Sequence, residues 1–325
     1  MNLRFVEAFY WAVTLKSVTR AAEKLFVTQS ALSSRIAALE AELGVLMLDR
    51  RDKQFRLTTA GTRFFRHAER LLNVQRDIKA ELGGLAGAAA SPMSLRVGAI
   101  ESVLHSWLIE WVQALRGEYP ALELALAVET TPVLLDQMKR GAADLVLTAT
   151  PASGDGVLTR ALAAMPMVFV GVRARHFRKR FTLPQLLQQD ELLTFQRGSQ
   201  PHVALLDLCR KSGVEAPRVH TISSISAMVQ LVEQGFGVAT LPAAAVARLA
   251  NAMGLCVVHC DAVLAPLPIH LSWRDDPATS AAAQVVDSVL AFNRKAVAAK
   301  AAKRSPPKLR PKSPQKPSSR KSIKP

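Results

Sequence analysis

Apolar residues at the start of the chain recur at helical spacing in three successive segments. In the third segment, Leu32, Ile36 and Leu39 are spaced four and then three residues apart, which places them on one helical face. A hydroxyl residue, Thr28, precedes this segment and suits a helix N-cap. The pattern predicts a helix-turn-helix unit with helices over residues 2–15, over Val18–Leu25 and from Thr28 to about Leu43.

The face of the third helix opposite its apolar stripe carries short polar side chains and one arginine. Side-chain amides, hydroxyls and guanidinium groups match the base edges and phosphates of the DNA major groove, into which a helix fits. We therefore predict that this helix binds double-stranded DNA through Gln29, Ser30, Ser33, Ser34 and Arg35.

A two-stranded wing is predicted after Gly44. Leu46 and Leu48 alternate with other residues, and so do Phe55 and Leu57, on either side of a polar loop. This pattern sends apolar residues back to the core and leaves the basic side chains outside, next to the DNA-reading helix. We expect phosphate contacts from Arg50, Arg51, Lys53 and Arg56. The alternative is a solvated hairpin whose charges only keep it soluble.

A long amphipathic helix is predicted from Thr59 to about Leu82. Its apolar stripe consists of Phe64, Phe65, Ala68, Leu71, Leu72 and Ile78. Pairing with the same helix of a second copy, in a homodimer, is the simplest way to cover this stripe. The alternative is a helix folded back on its own domain. The Gly/Ala-rich stretch Gly83–Ser94 then predicts a hinge.

From Leu95 onward, predicted strands and helices alternate. A strand–helix–strand–helix–strand order predicts an α/β fold with a parallel sheet and helices on both faces, and a second such set starts at Met167. With a late return strand, the pattern predicts a bilobal domain whose ligand binds beyond the carboxyl ends of the strands. We divide it into lobe I, about residues 95–162 and 266–294, and lobe II, about residues 163–265.

Charge is concentrated at the two ends of the chain. The net charge is +16. Residues 1–82 hold 14 basic and 9 acidic residues, whereas residues 300–325 hold 10 basic residues and no acid. The neutral centre and basic ends favour polyanion binding at the ends. The Pro/Lys-rich tail, residues 295–325, is expected to be disordered, and either adds sequence-independent DNA affinity or only solubilises the chain.

Composition also limits the compartment and the chemistry. No apolar run is long enough for a membrane span, and the N-terminus lacks the pattern of a signal peptide, so we expect a cytoplasmic protein. Three cysteines form no CxxC pair and favour free thiols in a reducing compartment. A redox switch that uses Cys209 is the alternative.

Three sequence stretches resemble the LysR-type transcriptional regulator family. They are SVTRAAEKL, VTQSALSSRIAALEAELGVLMLDR and LTTAG, within residues 2–66, and GAADLVL and LVEQGFGVATLP resemble its effector domain more loosely. The resemblance implies a winged helix-turn-helix (residues 1–58), a linker helix with a hinge (59–94) and a periplasmic-binding-protein-like effector domain (95–294). It also implies a homodimer, usually assembled into a tetramer, and a contact with RNA polymerase if the protein is an activator.

The resemblance assigns roles to single positions. The five polar residues of the third helix match positions that face DNA in the family, Thr28 matches the helix entry, and Arg50 matches the basic residue that opens the wing. Two positions depart from the family pattern. Lys16 replaces a usual glycine before the second helix, and Ser30 replaces a frequent proline, so the operator sequence could differ.

Effector contacts in the family cluster on loops after strands and at helix starts. The matching residues are Ser102, Thr130, Thr131, Thr148, Ser199, Gln200 and Ser224. Hydroxyls at helix N-termini suit a small organic acid or another anion, because free N–H groups and the helix dipole favour negative charge. The alternative is that each hydroxyl only caps its own helix.

Other functions fit the sequence less well. Ser102 and His105 lie three residues apart, but no GxSxG elbow surrounds the serine. The histidines show no metal spacing and no phosphate loop is present, so we expect no enzyme activity, no cofactor and no metal. An architectural, sequence-tolerant DNA-binding protein is the alternative function, but it would not need some two hundred residues of neutral α/β domain.

Overall fold

The computed structural model describes residues 1–49, 55–83, 94–154, 156–214, 218–249, 254–275 and 281–304. These residues form an N-terminal helical domain and two α/β lobes. The predicted phosphate contacts Arg50, Arg51 and Lys53, most of the predicted hinge, and the tail beyond Arg304 lie outside the described residues. In the described part of the chain, no helix is long and apolar enough to cross a membrane.

The N-terminal domain has the predicted helix-turn-helix. Ser17 Oγ caps the second helix by accepting from Arg20 N at 3.3 Å, and Thr28 Oγ1 caps the third by accepting from Ala31 N at 3.2 Å. Gly44, with a φ of 65°, ends the third helix in the left-handed conformation. The elements are α1 (Leu3–Thr14), α2 (Val18–Lys24), α3 (Gln29–Leu43), β1 (Leu48–Asp49), β2 (Arg56–Leu57) and α4 (Thr59–Gly83).

The wing is anchored by a buried carboxylate that the sequence pattern did not indicate. Glu40 Oε1 accepts from the backbone N–H groups of Met47 at 2.8 Å and Leu48 at 3.0 Å. Met47 is fully buried, whereas Leu46 is 66% exposed. The prediction that Leu46 returns to the core is therefore wrong, because these hydrogen bonds set a register in which Met47 points inward.

Helix α4 follows the alternative prediction, a helix folded back on its own domain, only in part. Its first half folds back on its own domain: Ala68 and Leu72 are buried, and the ring of Phe65 stacks on that of Tyr10 at 5.3 Å. In its second half, Val74 and Ile78 are 56% and 49% exposed. The apolar stripe is thus covered only where it meets the helix-turn-helix.

Lobe I contains a five-stranded sheet in the order β4-β3-β5-β14-β6. The central parallel strands were predicted, but β6 was not, and β14 runs antiparallel to both β5 and β6. The strands are β3 (Ser94–Ala99), β4 (Glu123–Val128), β5 (Leu145–Thr148), β6 (Val157–Met165) and β14 (Leu267–Arg274). Its helices are α5 (Glu101–Val103), which continues through a π-helical turn (Leu104–Leu108) into α6 (Ile109–Glu118), then α7 (Thr131–Arg140) and α13 (Ala281–Arg304).

Helix α13 runs about ten residues beyond its predicted end. It packs on lobe I, where Trp111 Nε1 donates to Ser288 Oγ at 3.2 Å. We predicted its end near Arg294 and a disordered tail from residue 295. The structure continues the helix to Arg304, because the alanine-rich stretch after Arg294 consists of strong helix formers.

Lobe II contains the second five-stranded sheet, in the order β10-β9-β11-β7-β12. Strand β7 is antiparallel to both of its neighbours, so the sheet is mixed rather than parallel throughout. The strands are β7 (Met167–Val172), β9 (Glu191–Thr194), β10 (Val219–Thr221), β11 (Gly237–Pro242) and β12 (Leu255–Val257), with a short pair β8 (Arg180–Phe181) and β13 (His259–Cys260). The helices are α8 (Arg173–His176), α9 (Leu183–Gln189), α10 (Gln200–Lys211), α11 (Ile225–Glu233) and α12 (Ala243–Leu249).

The N-terminal domain is joined to lobe I by a buried ionic cluster around Asp144. Asp144 Oδ1 lies 2.6 Å from Lys24 Nζ and 2.7 Å from an Arg96 guanidinium nitrogen. Asp144 Oδ2 accepts from the Arg96 Nε and backbone N–H groups, both at 3.0 Å. Burial raises the pKa of Asp144, but the hydrogen bonds and charges of Arg96 and Lys24 outweigh it and hold that pKa far below its ordinary value.

Apolar contacts surround this cluster. The ring of Trp11, fully buried, lies 4.8 Å from Lys24 Nζ and 6.0 Å from the Arg274 guanidinium. Leu15 packs on Gly141, where an added Cβ would lie 2.8 Å from Leu15 Cδ1. The N-terminal domain and lobe I therefore meet in a close-packed, charge-paired junction, which we call the Asp144 junction.

Candidate DNA-binding groove and effector cleft

A polar groove opens between α3, the start of α2 and the wing. Four of the predicted DNA-binding residues line it: Gln29, Ser33, Ser34 and Arg56. The other two hydroxyls lie at the entry of α3, where Thr28 Oγ1 and Ser30 Oγ are 3.0 Å apart, and both residues are exposed. Arg35 is half-buried on the same helix and is not among the groove-lining residues.

Lys16 also lines this groove, and we had not predicted it as a site residue. Its φ is 51°, in the left-handed region that glycine adopts at little cost. This geometry explains why the family usually has glycine at this position. The departure of Lys16 from the family pattern could have indicated this role in the sequence. In the structure, Lys16 places an exposed positive charge at the edge of the groove.

The second candidate site is a cleft between the two lobes, which we call the interlobe cleft. Its volume is about 710 Å³, within the range of roughly 300–1,000 Å³ that small-molecule sites occupy. Much of the wall is apolar, from Ile100, Leu104, Val128, Leu135, Phe195 and Leu267. Six of the predicted effector residues contribute to the polar wall: Ser102, Thr130, Thr131, Ser199, Gln200 and Ser224 all line the cleft.

Thr148 is the predicted effector residue that does not line the cleft. It is fully buried at the end of β5, and its hydroxyl donates to the Thr150 carbonyl at 2.7 Å. Strand polarity correctly predicted that Thr148 lies at the cleft end of the sheet. It did not predict the direction of the side chain, which is buried and does not line the cleft. Two other hydroxyls also have local partners: Ser199 Oγ accepts from His202 N, and Thr131 Oγ1 accepts from Ala149 N.

Glu101 crosses the interlobe cleft, and we had not predicted it. It follows β3 of lobe I, and its carboxylate accepts from the first N–H groups of α11 in lobe II: Ile225 N at 2.7 Å and Ser226 N at 3.4 Å. Ser224 Oγ and His105 Nε2 each lie 3.4 Å from Glu101 Oε1. An acidic residue directly after a central strand was the signal in the sequence.

The charge state of Glu101 follows from these contacts. Burial raises its pKa, but the hydrogen bonds from His105 and from the Ile225 and Ser226 N–H groups outweigh burial and lower it overall. Glu101 is therefore ionised at neutral pH. Among the contacts of Glu101, the imidazole of His105 lies one helical turn further along the same helix.

Comparison with known proteins identifies the class. Residues 3–62 match the model of the bacterial regulatory helix-turn-helix protein of the lysR family, and residues 90–292 match that of the LysR substrate binding domain. The second match covers more than half of the chain, so the chain belongs to the LysR family. It is a DNA-binding transcriptional regulator of LysR type with an effector-binding domain.

Individual relatives agree with this family. A probable hydrogen peroxide-inducible genes activator of Streptomyces viridosporus is 33% identical over 233 residues, 70% of this chain and 72% of that protein. The DNA-binding transcriptional dual regulator OxyR of Escherichia coli K12 is 27% identical over 263 residues, 80% of this chain and 85% of that protein. The solved structure of an OxyR mutant from Corynebacterium glutamicum, 27% identical, covers 93% of this chain and 96% of that one with a TM-score of 0.54.

Proposed function

We propose that the chain binds operator DNA through the groove beside α3, and that a small molecule in the interlobe cleft controls this binding. The observation that carries the proposal is the pair of sites within one chain: an exposed polar helix face and, in the other domain, a cleft between two separate sheets. Helix α3 is backed by Leu32, Ile36 and Leu39, all buried, so its polar face can enter a major groove without loss of the core.

We infer that a second copy of the chain covers the distal half of α4. Val74 and Ile78 lie four residues apart, hence on one face, and both are exposed. Two such faces in antiparallel contact would also place two DNA-reading helices at opposite ends of the helix pair, related by a two-fold axis, as the separated half-sites of a palindromic operator require. The measured mass of the intact chain in solution tests this: a dimer or tetramer is expected, and a Val74→Asp, Ile78→Asp double variant should shift it toward the monomer.

The proposed control mechanism follows from how the domains are joined. We treat the N-terminal domain and lobe I, which the Asp144 junction holds together, as one body; lobe II shares a buried core with lobe I and also meets it across the interlobe cleft. Helix α12 of lobe II adds an exposed ion pair at one side, from Arg248 to Glu110. An effector in the cleft therefore shifts lobe II against that body and changes the spacing of the two DNA-reading helices in an oligomer.

Thiol oxidation is not the signal we propose, although several relatives are named for induction by hydrogen peroxide. The reactive species of a cysteine is the thiolate. Burial raises the pKa of all three thiols, Cys209, Cys256 and Cys260. None of the three is among the residues that line the cleft. These environments favour inert structural thiols, so we assign the cleft to a non-covalent effector.

The test of DNA binding compares two exposed helical glutamines. Gln29→Ala, in the groove, should weaken binding to a footprinted site upstream of the protein's own gene by at least about tenfold, since one amide–base contact contributes roughly 1–3 kcal/mol. Gln113→Ala, on the exposed face of α6, is the matched control and should bind like the wild type. Equal binding by the two variants would contradict the assignment of the groove. Uniform coating of DNA without a protected site would instead favour the architectural alternative.

A further inference from the structure

We infer that Glu101 is a built-in carboxylate ligand of α11, so that the interlobe cleft rejects an anionic group at this end and takes a neutral or cationic effector that donates hydrogen bonds. This inference rests on the proposed function of the cleft as the effector site. It departs from the sequence-based expectation of a small organic acid.

The first three N–H groups of α11 all have acceptors. The first two N–H groups, of Ile225 and Ser226, are directed at the Glu101 carboxylate. The third, of Ala227, donates to Ser224 Oγ at 3.3 Å, and the fourth, of Met228, donates to the Ser224 carbonyl at 3.1 Å. The Met228 bond is the first intrahelical one, to the N-cap carbonyl, and the three N–H groups before it belong to those that a helix start leaves without an intrahelical partner. The positive end of the helix dipole is therefore already neutralised by Glu101.

The starts of α7 and α10 at the cleft are poor anion sites as well. Both α7 and α10 carry a proline in the first turn, Pro132 and Pro201, and proline has no N–H group to donate. The cap of α10 is satisfied internally, because Ser199 Oγ accepts from His202 N. A carboxylate ligand would thus meet few free donors at α7, α10 and α11, and the remaining helix start at the cleft, that of α5, carries the acidic Glu101 in its first turn.

Charge in the cleft also opposes an anion. Among its lining residues are two carboxylates, Glu101 and Glu129, which follow the paired strands β3 and β4 on the same side of the cleft. A single exposed arginine among the lining residues, Arg197, opposes them. Replacing the Glu101 carboxylate by that of a ligand would gain no new hydrogen bond and would bring two like charges together in a partly buried site.

Acceptors, by contrast, are available. Gln200 Oε1 is buried in the cleft wall and has no hydrogen-bond partner among the described residues. Glu129 is exposed at the same cleft. A buried acceptor without a donor is costly, and a ligand N–H or O–H group would satisfy it. The cleft therefore presents apolar walls, an unsatisfied amide oxygen and a free carboxylate, which together select an amine, amide or alcohol rather than an acid.

The experiment uses the intact protein and the fragment that a substitution removes. Glu101→Ala deletes the atoms of an acetate ion, so acetate can return to the freed N-terminus of α11, whereas acetamide has the same shape without the charge. We expect acetate to bind Glu101→Ala at least about tenfold more tightly than it binds the wild type, with no such gain for acetamide. Glu129→Ala, which removes a cleft carboxylate that does not accept from the N–H groups of α11, should not gain acetate binding.

Each outcome of this titration decides the inference. Equal acetate affinity in Glu101→Ala and wild type, or an equal gain for acetamide, overturns it. Should Glu101→Ala not fold, Glu101→Gln retains the shape and loses the charge, and the Ile225 and Ser226 amides should then exchange with solvent about fivefold faster than in the wild type; unchanged exchange overturns the inference. Operator footprinting with the wild-type preparation is scored separately, so failure of the proposed function is distinguishable from failure of the Glu101 inference.

Discussion

Two carboxylates each connect separate parts of this chain, but they do so in different ways. Asp144 is paired with two cationic side chains, Lys24 and Arg96, and the three form a cluster beside the buried ring of Trp11. Glu101 contacts backbone N–H groups, a hydroxyl and one histidine, in the wall of an open cleft. The difference indicates which connection can move. Charge-paired, packed groups resist separation, whereas water can replace a carboxylate that accepts from the N–H groups at a helix end.

The largest expected effect concerns Asp144. Asp144→Asn removes the negative charge and leaves Lys24 and Arg96 facing each other, so the free energy of unfolding should fall by about 3 kcal/mol. Glu101→Gln should cost no more than about 1 kcal/mol, because its oxygen still accepts from Ile225 N and no cation is left uncompensated. Urea denaturation at neutral pH measures both. A larger loss for Glu101→Gln than for Asp144→Asn would reverse the comparison.

An intermediate effect is expected at Gly141, where Leu15 packs against lobe I. Gly141→Ala adds a Cβ 2.8 Å from Leu15 Cδ1 at a φ of 73°, whereas Gly213→Ala has nearly the same φ, 71°, and no atom within 4 Å. Both variants share the cost of a left-handed alanine. We expect Gly141→Ala to be less stable than Gly213→Ala by about 1 kcal/mol, the cost of disturbing the junction.

Thermal unfolding of the two glycine variants provides the check. The N-terminal domain of Gly141→Ala should also become more sensitive to protease than that of Gly213→Ala, because its contact with lobe I is weakened. Identical stabilities and digestion rates would mean that the Asp144 junction does not hold the two domains together.

The smallest effect is the dependence on pH. Both carboxylates have a lowered pKa in the folded chain, so each contribution to stability is present above the ordinary pKa of the group and is lost as pH falls through the folded pKa. The difference in unfolding free energy between wild type and Asp144→Asn should therefore stay constant from about pH 8 to about pH 5 and decrease only below about pH 4.

The same titration separates the two connections. Arg96 and Lys24 hold the pKa of Asp144 far below its ordinary value, so the contribution of Asp144 to stability should survive to more acidic pH than that of Glu101. The contribution of Glu101 is measured against Glu101→Gln in the same way. Glu129 and Arg197, which line the cleft with Glu101, and His105, which contacts Glu101, are present in both proteins. A contribution from Asp144 that disappears before that of Glu101 would contradict the assignment of the rigid junction.

Much of the fold was predictable from local patterns. The spacing of Leu32, Ile36 and Leu39, the caps Ser17 and Thr28, and the strand–helix alternation after Leu95 each report on a few neighbouring residues, and helices and strands depend mainly on such short-range periodicity. All but one of the predicted effector residues line the cleft, because the carboxyl ends of parallel strands and the starts of the following helices meet at one edge of a sheet.

Contacts between distant segments were not predictable in this way. Packing partners far away in the chain decide whether Thr148 faces the cleft and how much of α4 is covered. They also decide whether Met47 or Leu46 enters the core. Glu101 reaches Ile225, and Lys24 reaches Asp144, across more than a hundred residues, and no periodicity records such pairs. Local pattern thus specifies the elements and the family of this regulator. The tertiary structure alone decides that Asp144 joins the N-terminal domain to lobe I and that Glu101 joins lobe I to α11. Each contact forms only when folding brings a carboxylate from one segment to the donors of another, since burial and charge pairing exist only in the assembled structure.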